Sequence, residues 1–226
     1  MTEERAAAIR VELPAGAVEL PAAVGAPDGA WATLAIAHGA GAGKDHPFLV
    51  GFAAAVRDAG IATVRFDFPY IVAGRRMPGP AAHAIAAWRA VAGFAAASLP
   101  APLWACGKSY GGRMASMAAA EGAFDVAGLV YLAYPLHPPG RPEKPRAEHL
   151  PAVAPPQLFV EGENDPFIQP RAQFDDAVAS CQDATVEWIA GGTHAFEVKG
   201  RRRPADEIGA SLADPVVRFI RQRSGG

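Results

Sequence analysis

Short apolar runs alternate with longer stretches of helical spacing through most of the chain. Ala8–Leu13 and Ala17–Val24 read as an N-terminal hairpin, split by Pro14 and Gly16. Ala32–Ala37 is a continuous apolar run, the pattern of a strand buried on both faces. A glycine-rich turn follows at His38–Gly43, and Pro47 suits the first turn of a helix reaching about Ala59, closed by Gly60. Further strands are predicted at Ile61–Phe66, Leu103–Cys106, Gly128–Ala133, Gln157–Val160 and Thr185–Ile189. Helices are predicted over an Ala-rich stretch ending near Ser98, and at Ser109–Glu121, Arg171–Cys181 and Ala205–Arg223. Asp67–Met77 and the Pro-rich Pro135–Pro156 read as loops. The alternation predicts a mostly parallel central sheet of about eight strands with helices on both faces.

Composition narrows the class of protein. With 226 residues, half of them hydrophobic, the chain fits one domain over 1–226. A domain of that size buries roughly three-quarters of its unfolded surface and needs no staples. The formal net charge of −2 gives no field to attract nucleic acid or a membrane surface. Arg201–Arg203 reads as a solvated surface loop. Cys106 and Cys181 are too few for a disulfide framework and suit a reducing compartment. Met1–Arg10 lacks the apolar stretch of a signal peptide, and no apolar run approaches the ~18 residues of a membrane span. The expectation is a cytoplasmic protein with neither cofactor nor metal; a homodimer is compatible with it.

The chemistry-bearing clusters each follow a predicted strand. Gly107-Lys108-Ser109-Tyr110-Gly111 fits G-x-S-x-G between a strand and a helix, the pattern that lifts a serine onto a sharp turn. Asp165 lies in Gly162-Glu163-Asn164-Asp165-Pro166, where ordinary turn chemistry competes as a reading. His194 lies in Gly191-Gly192-Thr193-His194. Ser, then Asp, then His is the chain order of an α/β-hydrolase triad. In open parallel sheets, ligands bind beyond the carboxyl ends of the strands, so the three clusters can converge. Ser109 is then the expected nucleophile, His194 its base and Asp165 the group orienting that base. The backbone N–H groups of Ala40 and Tyr110 are the expected oxyanion donors. His38, His46, Lys108 and His137 are candidates for substrate contact; His38 alternatively supports the turn, and Lys108 either attracts an anion or packs outward. Phosphate-loop and dinucleotide readings fail on spacing: Pro102 stands where a phosphate loop ending at Ser109 needs glycine, and Gly39, Gly41 and Gly43 are spaced G-x-G-x-G.

Taken together, His38-Gly39-Ala40-Gly41, Arg65–Tyr70, Gly107–Arg113, Tyr134–Gly140, Gly162–Phe167 and Gly191–His194 resemble a small α/β-hydrolase-like family. Its bacterial members are described as dienelactone-hydrolase-like, and it also occurs as a domain in a subunit of an animal histone-acetyltransferase complex. The resemblance implies an α/β-hydrolase fold with Ser109, Asp165 and His194 at the triad positions. True dienelactone hydrolases use cysteine where this chain has Ser109. The segment between the strand ending near Tyr134 and the one starting at Gln157 is too short for a helical lid, so an open site is expected, with the Pro-rich loop as its wall. The expected activity is hydrolysis of a small carboxylic ester or thioester. The alternative is a binding or scaffold domain that keeps the fold without turnover.

Overall fold

Leu34 and Ile36 point to one side of the sheet and Ala35 and Ala37 to the other, and both sides are covered. That is why their strand is apolar without alternation. The structure, a computed structural model, describes residues 3–225; the extreme ends of the domain expected over 1–226 lie outside the described residues. Eight strands form one sheet: β1 Arg5–Leu13, β2 Gly16–Gly25, β3 Ala32–Ala37, β4 Ile61–Phe66, β5 Leu103–Lys108, β6 Gly128–Leu132, β7 Gln157–Gly162 and β8 Ala184–Ile189. Their spatial order is β1-β2-β4-β3-β5-β6-β7-β8. β1 and β2 pair antiparallel as a hairpin, and β2 joins β4 antiparallel. From β4 to β8 every pairing is parallel.

The helices are α1 Pro47–Asp58, α2 Pro69–Val72, α3 Ala81–Ser98, α4 Tyr110–Ala120, α5 Arg171–Ala179, α6 Ala205–Ala210 and α7 Ala213–Arg223. α1, α6 and α7 cover one face, where Phe52, Val216 and Ile220 pack on Leu34, Trp104 and Val130. α3, α4 and α5 cover the other, with Trp88, Met114 and Phe174 against Ala105, Tyr131 and Phe159. Each such large side chain, fully buried, contributes about 1.5–3 kcal/mol. Two sequence expectations change. The loop expected at Asp67–Met77 contains the short helix α2, and the single helix expected at Ala205–Arg223 is two, broken at Ser211–Leu212. Between β6 and β7 only a single 3-10 turn, Leu150–Ala152, interrupts the loop, so no lid domain covers the carboxyl end of the sheet. Among the described residues, no helix is long and apolar enough to cross a membrane.

β4 carries one buried charge, Arg65, and its partners show how the sheet holds the turn above it. Arg65 is paired with Glu4 (2.6 Å) and donates to the Lys44 carbonyl. Glu4 also pairs with the buried Arg57 of α1 (2.7 Å). The cation is thereby compensated, and the chain just beyond β3 is tied to the neighbouring strand.

Candidate active site

Ser109 sits between β5 and α4 with φ +49° and ψ −113°, a conformation that a non-glycine residue holds only under constraint. The constraint is close packing of strand on helix. A Cβ on Gly107 would stand 2.1 Å from the Gly112 nitrogen, so only glycine allows the turn to close. On the other side, the Ser109 N–H donates to the Leu132 carbonyl at the end of β6 (2.9 Å). The hydroxyl is held out beyond the strand ends.

His194 and Asp165 come from the loops after β8 and β7. Ser109 Oγ and His194 Nε2 are 2.9 Å apart, and His194 Nδ1 and Asp165 Oδ2 are 2.6 Å apart. Asp165 is fully buried, and its second oxygen accepts the Phe167 N–H (2.8 Å), capping a 3-10 turn. The carboxylate therefore faces one donor on each oxygen. The Phe167 ring stacks on the imidazole with centroids 4.0 Å apart. The two loops touch closely: a Cβ on Gly162 would lie 2.4 Å from the Gly192 carbonyl oxygen. Burial pushes the His194 pKa below the ordinary histidine range; the Asp165 hydrogen bond opposes this and the Lys108 charge adds to it. With Asp165 as its acceptor, Nδ1 carries the proton and Nε2 is free to accept one.

The His38–Gly43 turn is fixed from beneath. His38 is completely buried; its Nδ1–H donates to the Gly39 carbonyl (2.8 Å), and its Nε2 accepts the Phe68 N–H (3.1 Å). Burial lowers its pKa, in keeping with a neutral ring that donates at one nitrogen and accepts at the other. The Tyr70 hydroxyl also donates to the Gly39 carbonyl (3.4 Å). Across a planar trans peptide, C=O and N–H point in opposite directions. Holding the Gly39 oxygen inward therefore turns the Ala40 N–H outward. Ala40 and Tyr110 both line the cleft beside Ser109, and neither backbone N–H donates to another group among the described residues.

The cleft is about 760 Å³, within the ~300–1,000 Å³ of small-molecule sites. Its walls correct the expectation of a single Pro-rich wall. Pro135 and Arg146 come from that loop, but Met77 and Pro78, the start of α1 at Phe48 and Leu49, and Ala205 and Ile208 of α6 also enclose it. Most of the lining is apolar.

Of the further candidates, His46 lines the mouth and caps α1, accepting the Phe48 N–H (3.3 Å). Lys108 also lines the cleft, but it does not pack outward: its ammonium donates to the His194 carbonyl (2.6 Å), and burial lowers its pKa to about 8 against the pull of Asp165 and Glu161. His38 and His137 are corrected as candidates for substrate contact. Both are fully buried and neither lines the cleft; His137 bonds the Pro138 carbonyl (2.8 Å). Sequence reasoning missed Phe167 and Arg113. Their spacing carried a signal, since Phe167 is two residues past Asp165 and Arg113 is one helical turn past Ser109.

A mostly parallel eight-stranded sheet, with a serine on the elbow after its central strand and an imidazole and an acid from later strand ends, defines the α/β-hydrolase class. The family model for the alpha/beta hydrolase domain matches residues 30–221, and the chain belongs to that family. The fold is similar to the dienelactone hydrolase of Anabaena variabilis (21% identity, TM-score 0.75, covering 97% of this chain and 98% of that one). It is similar as well to an α/β serine hydrolase without a lid from Xanthomonas campestris (24%, TM-score 0.70, 95% of each chain). Est1E of Butyrivibrio proteoclasticus, solved with ferulic acid bound, shares the fold too (15%, TM-score 0.74, 96% of this chain and 100% of that one).

Proposed function

We propose that this chain is a serine hydrolase of small carboxylic esters or thioesters, with Ser109 as nucleophile, His194 as base and Asp165 orienting the base. The observation that carries the reading is the unbroken chain of contacts, 2.9 Å from hydroxyl to imidazole and 2.6 Å from imidazole to carboxylate. A serine hydroxyl is a weak nucleophile at neutral pH and needs a base within hydrogen-bond reach. Ser109 Oγ attacks the carbonyl carbon while His194 Nε2 takes its proton. The carbonyl oxygen becomes an anion facing the Ala40 and Tyr110 N–H groups. The intermediate collapses as the imidazolium gives its proton to the leaving alcohol or thiol, and an acyl-serine remains. Water, deprotonated by His194, then attacks the acyl carbon; the imidazolium returns that proton to Ser109 Oγ as the ester bond to serine breaks, releasing the acid and the free enzyme. Side chains and backbone amides carry every step. The cleft volume and the absence of a lid domain favour a small acyl group over a long lipid.

A fluorophosphonate probe tests the reading directly. The wild type is expected to acquire one covalent phosphonyl group, located at Ser109 by peptide mass spectrometry. An unlabelled but folded wild type would favour the scaffold alternative.

The pH profile gives a second expectation. The base must be neutral, so activity is lost as pH falls through the pKa of His194. Since burial holds that pKa below the usual histidine value, the acid limb of kcat/KM is expected below pH ~6.5. A limb centred well above pH 7 would contradict the assignment.

A further inference from the structure

Two arginines in the cleft have no part in this chemistry. Arg113 lies on α4 one turn beyond the nucleophile, its N–H donating to the Ser109 carbonyl (3.1 Å). Arg146 comes from the loop after β6. Its backbone is fastened at both groups: the N–H donates to the Leu136 carbonyl (2.7 Å), and the carbonyl accepts the Tyr134 hydroxyl (3.0 Å). Both side chains line the hollow that holds Ser109. Among the described residues, neither guanidinium takes part in an ion pair. Arg113 Nε is buried and, among the described residues, has no hydrogen-bond partner.

The surroundings compensate the Arg113 cation only in part, through the charge of Glu148, which raises its pKa as the last of the causes. Arg113 is lowered in pKa, first by burial, with the Arg146 charge among the further causes. His149, packed nearby with its Nε2 2.7 Å from Ser116 Oγ, is pushed down to about 4 by burial and by the Arg113 charge. It is neutral at pH 7 and brings no negative charge. Glu148 is exposed and, among the described residues, forms no ion pair, so its charge reaches Arg113 only at a distance. Desolvating a cation without a counter-ion is costly, and two cations on one apolar hollow compound the cost. A guanidinium matches a carboxylate in shape and charge, often through two parallel hydrogen bonds.

We propose that Arg113 and Arg146 form a carboxylate-binding subsite, so that the preferred esters carry a second, free carboxylate. The proposal rests on the serine-hydrolase reading and narrows its substrate class. Arg113 follows Ser109 by one helical turn on α4, so its side chain and the nucleophile share one hollow, and the test places the carboxylate on either side of the scissile bond.

Two matched pairs of esters test it, with the spontaneous hydrolysis of each ester subtracted from its enzymatic rate. In the first, 4-nitrophenyl hydrogen glutarate is compared with 4-nitrophenyl 5-methylhexanoate, in which an isopropyl group replaces the carboxylate. In the second, the carboxylate moves to the leaving group: 3-carboxyphenyl acetate against 3-isopropylphenyl acetate. The wild type is expected to favour the carboxylate in one pair by about 10- to 100-fold in kcat/KM. Arg113→Met with Arg146→Met is expected to bring that ratio to about one, and Arg113→Lys to keep part of it. Free glutarate should inhibit the wild type competitively. No preference in either pair, or a preference that survives the double substitution, would overturn the subsite. Should the double variant fail to fold, the wild-type ratios and glutarate competition decide. Turnover of the neutral esters without preference defeats the subsite alone. Failure to hydrolyse any ester or take the fluorophosphonate defeats the underlying reading, and calorimetric titration of wild type with glutarate then decides the subsite by itself.

Discussion

Alanine at Ser109 is expected to lower ester turnover by about 10⁶-fold, and alanine at His194 by at least ~10³-fold. The double variant should be no slower than the slower single. Non-additivity is the informative part. If the hydroxyl is the nucleophile and the imidazole exists to deprotonate it, removing either group removes the same step. What then survives is turnover supported by the backbone donors and by binding, worth roughly 10³–10⁴ over water in the best-studied serine hydrolases. Single-turnover measurements on an activated ester, with the melting temperature of each variant recorded, would check this. Effects that multiply would mean that the two groups act in separate steps, and the proposed roles would fall.

Asp165→Asn is expected to cost about 10⁴-fold with little loss of stability. The present carboxylate accepts the His194 Nδ1–H on one oxygen and the Phe167 N–H on the other. An amide has only one oxygen. Turned toward Phe167, it presents NH₂ to the imidazole, and Nδ1 must become the acceptor. The ring proton then sits on Nε2, facing the hydroxyl it should deprotonate. Turned the other way, the NH₂ faces a buried N–H donor, and one hydrogen bond is lost at a fully buried site. The first arrangement retains both contacts and is expected to prevail. Nitrogen NMR of the labelled imidazole would report the tautomer, and kcat the consequence. A loss below tenfold would mean that Asp165 only caps its turn, the reading that Asn-Asp-Pro invited from the outset.

The sheet was legible because its signals are local. Buried parallel strands are apolar without alternation, and β3 and β4 read that way directly. The triad candidates were legible for a related reason: each follows a strand, and parallel strands bring their ends to one rim. The break between α6 and α7 was legible too, but was missed. Asp214-Pro215 lies in the first turn of α7, where proline is tolerated; in a continuous helix it would clash with the carbonyl four residues earlier. What could not be read was orientation. His38, His46 and His137 look alike in a sequence, each beside Gly, Pro or both. Two are fully buried and one lines the cleft. Nothing within the chain near residue 205 announces that Ala205 and Ile208 will wall a hollow built around Ser109. That contact depends on how α6 packs against α1.

The phenyl ring of Phe167 bears on the most demanding moment of the proposed cycle. Between the two proton transfers the imidazole is a full cation in a half-buried place that disfavours the charge. Its π-face neighbour, 4.0 Å away, offers the electron-rich side of a quadrupole to that cation, an attraction of about 0.5–2 kcal/mol. The same ring gives the neutral base much less. The flat hydrocarbon under the histidine thus acts as a cushion that firms only while the charge lasts, and relaxes once the proton has moved on.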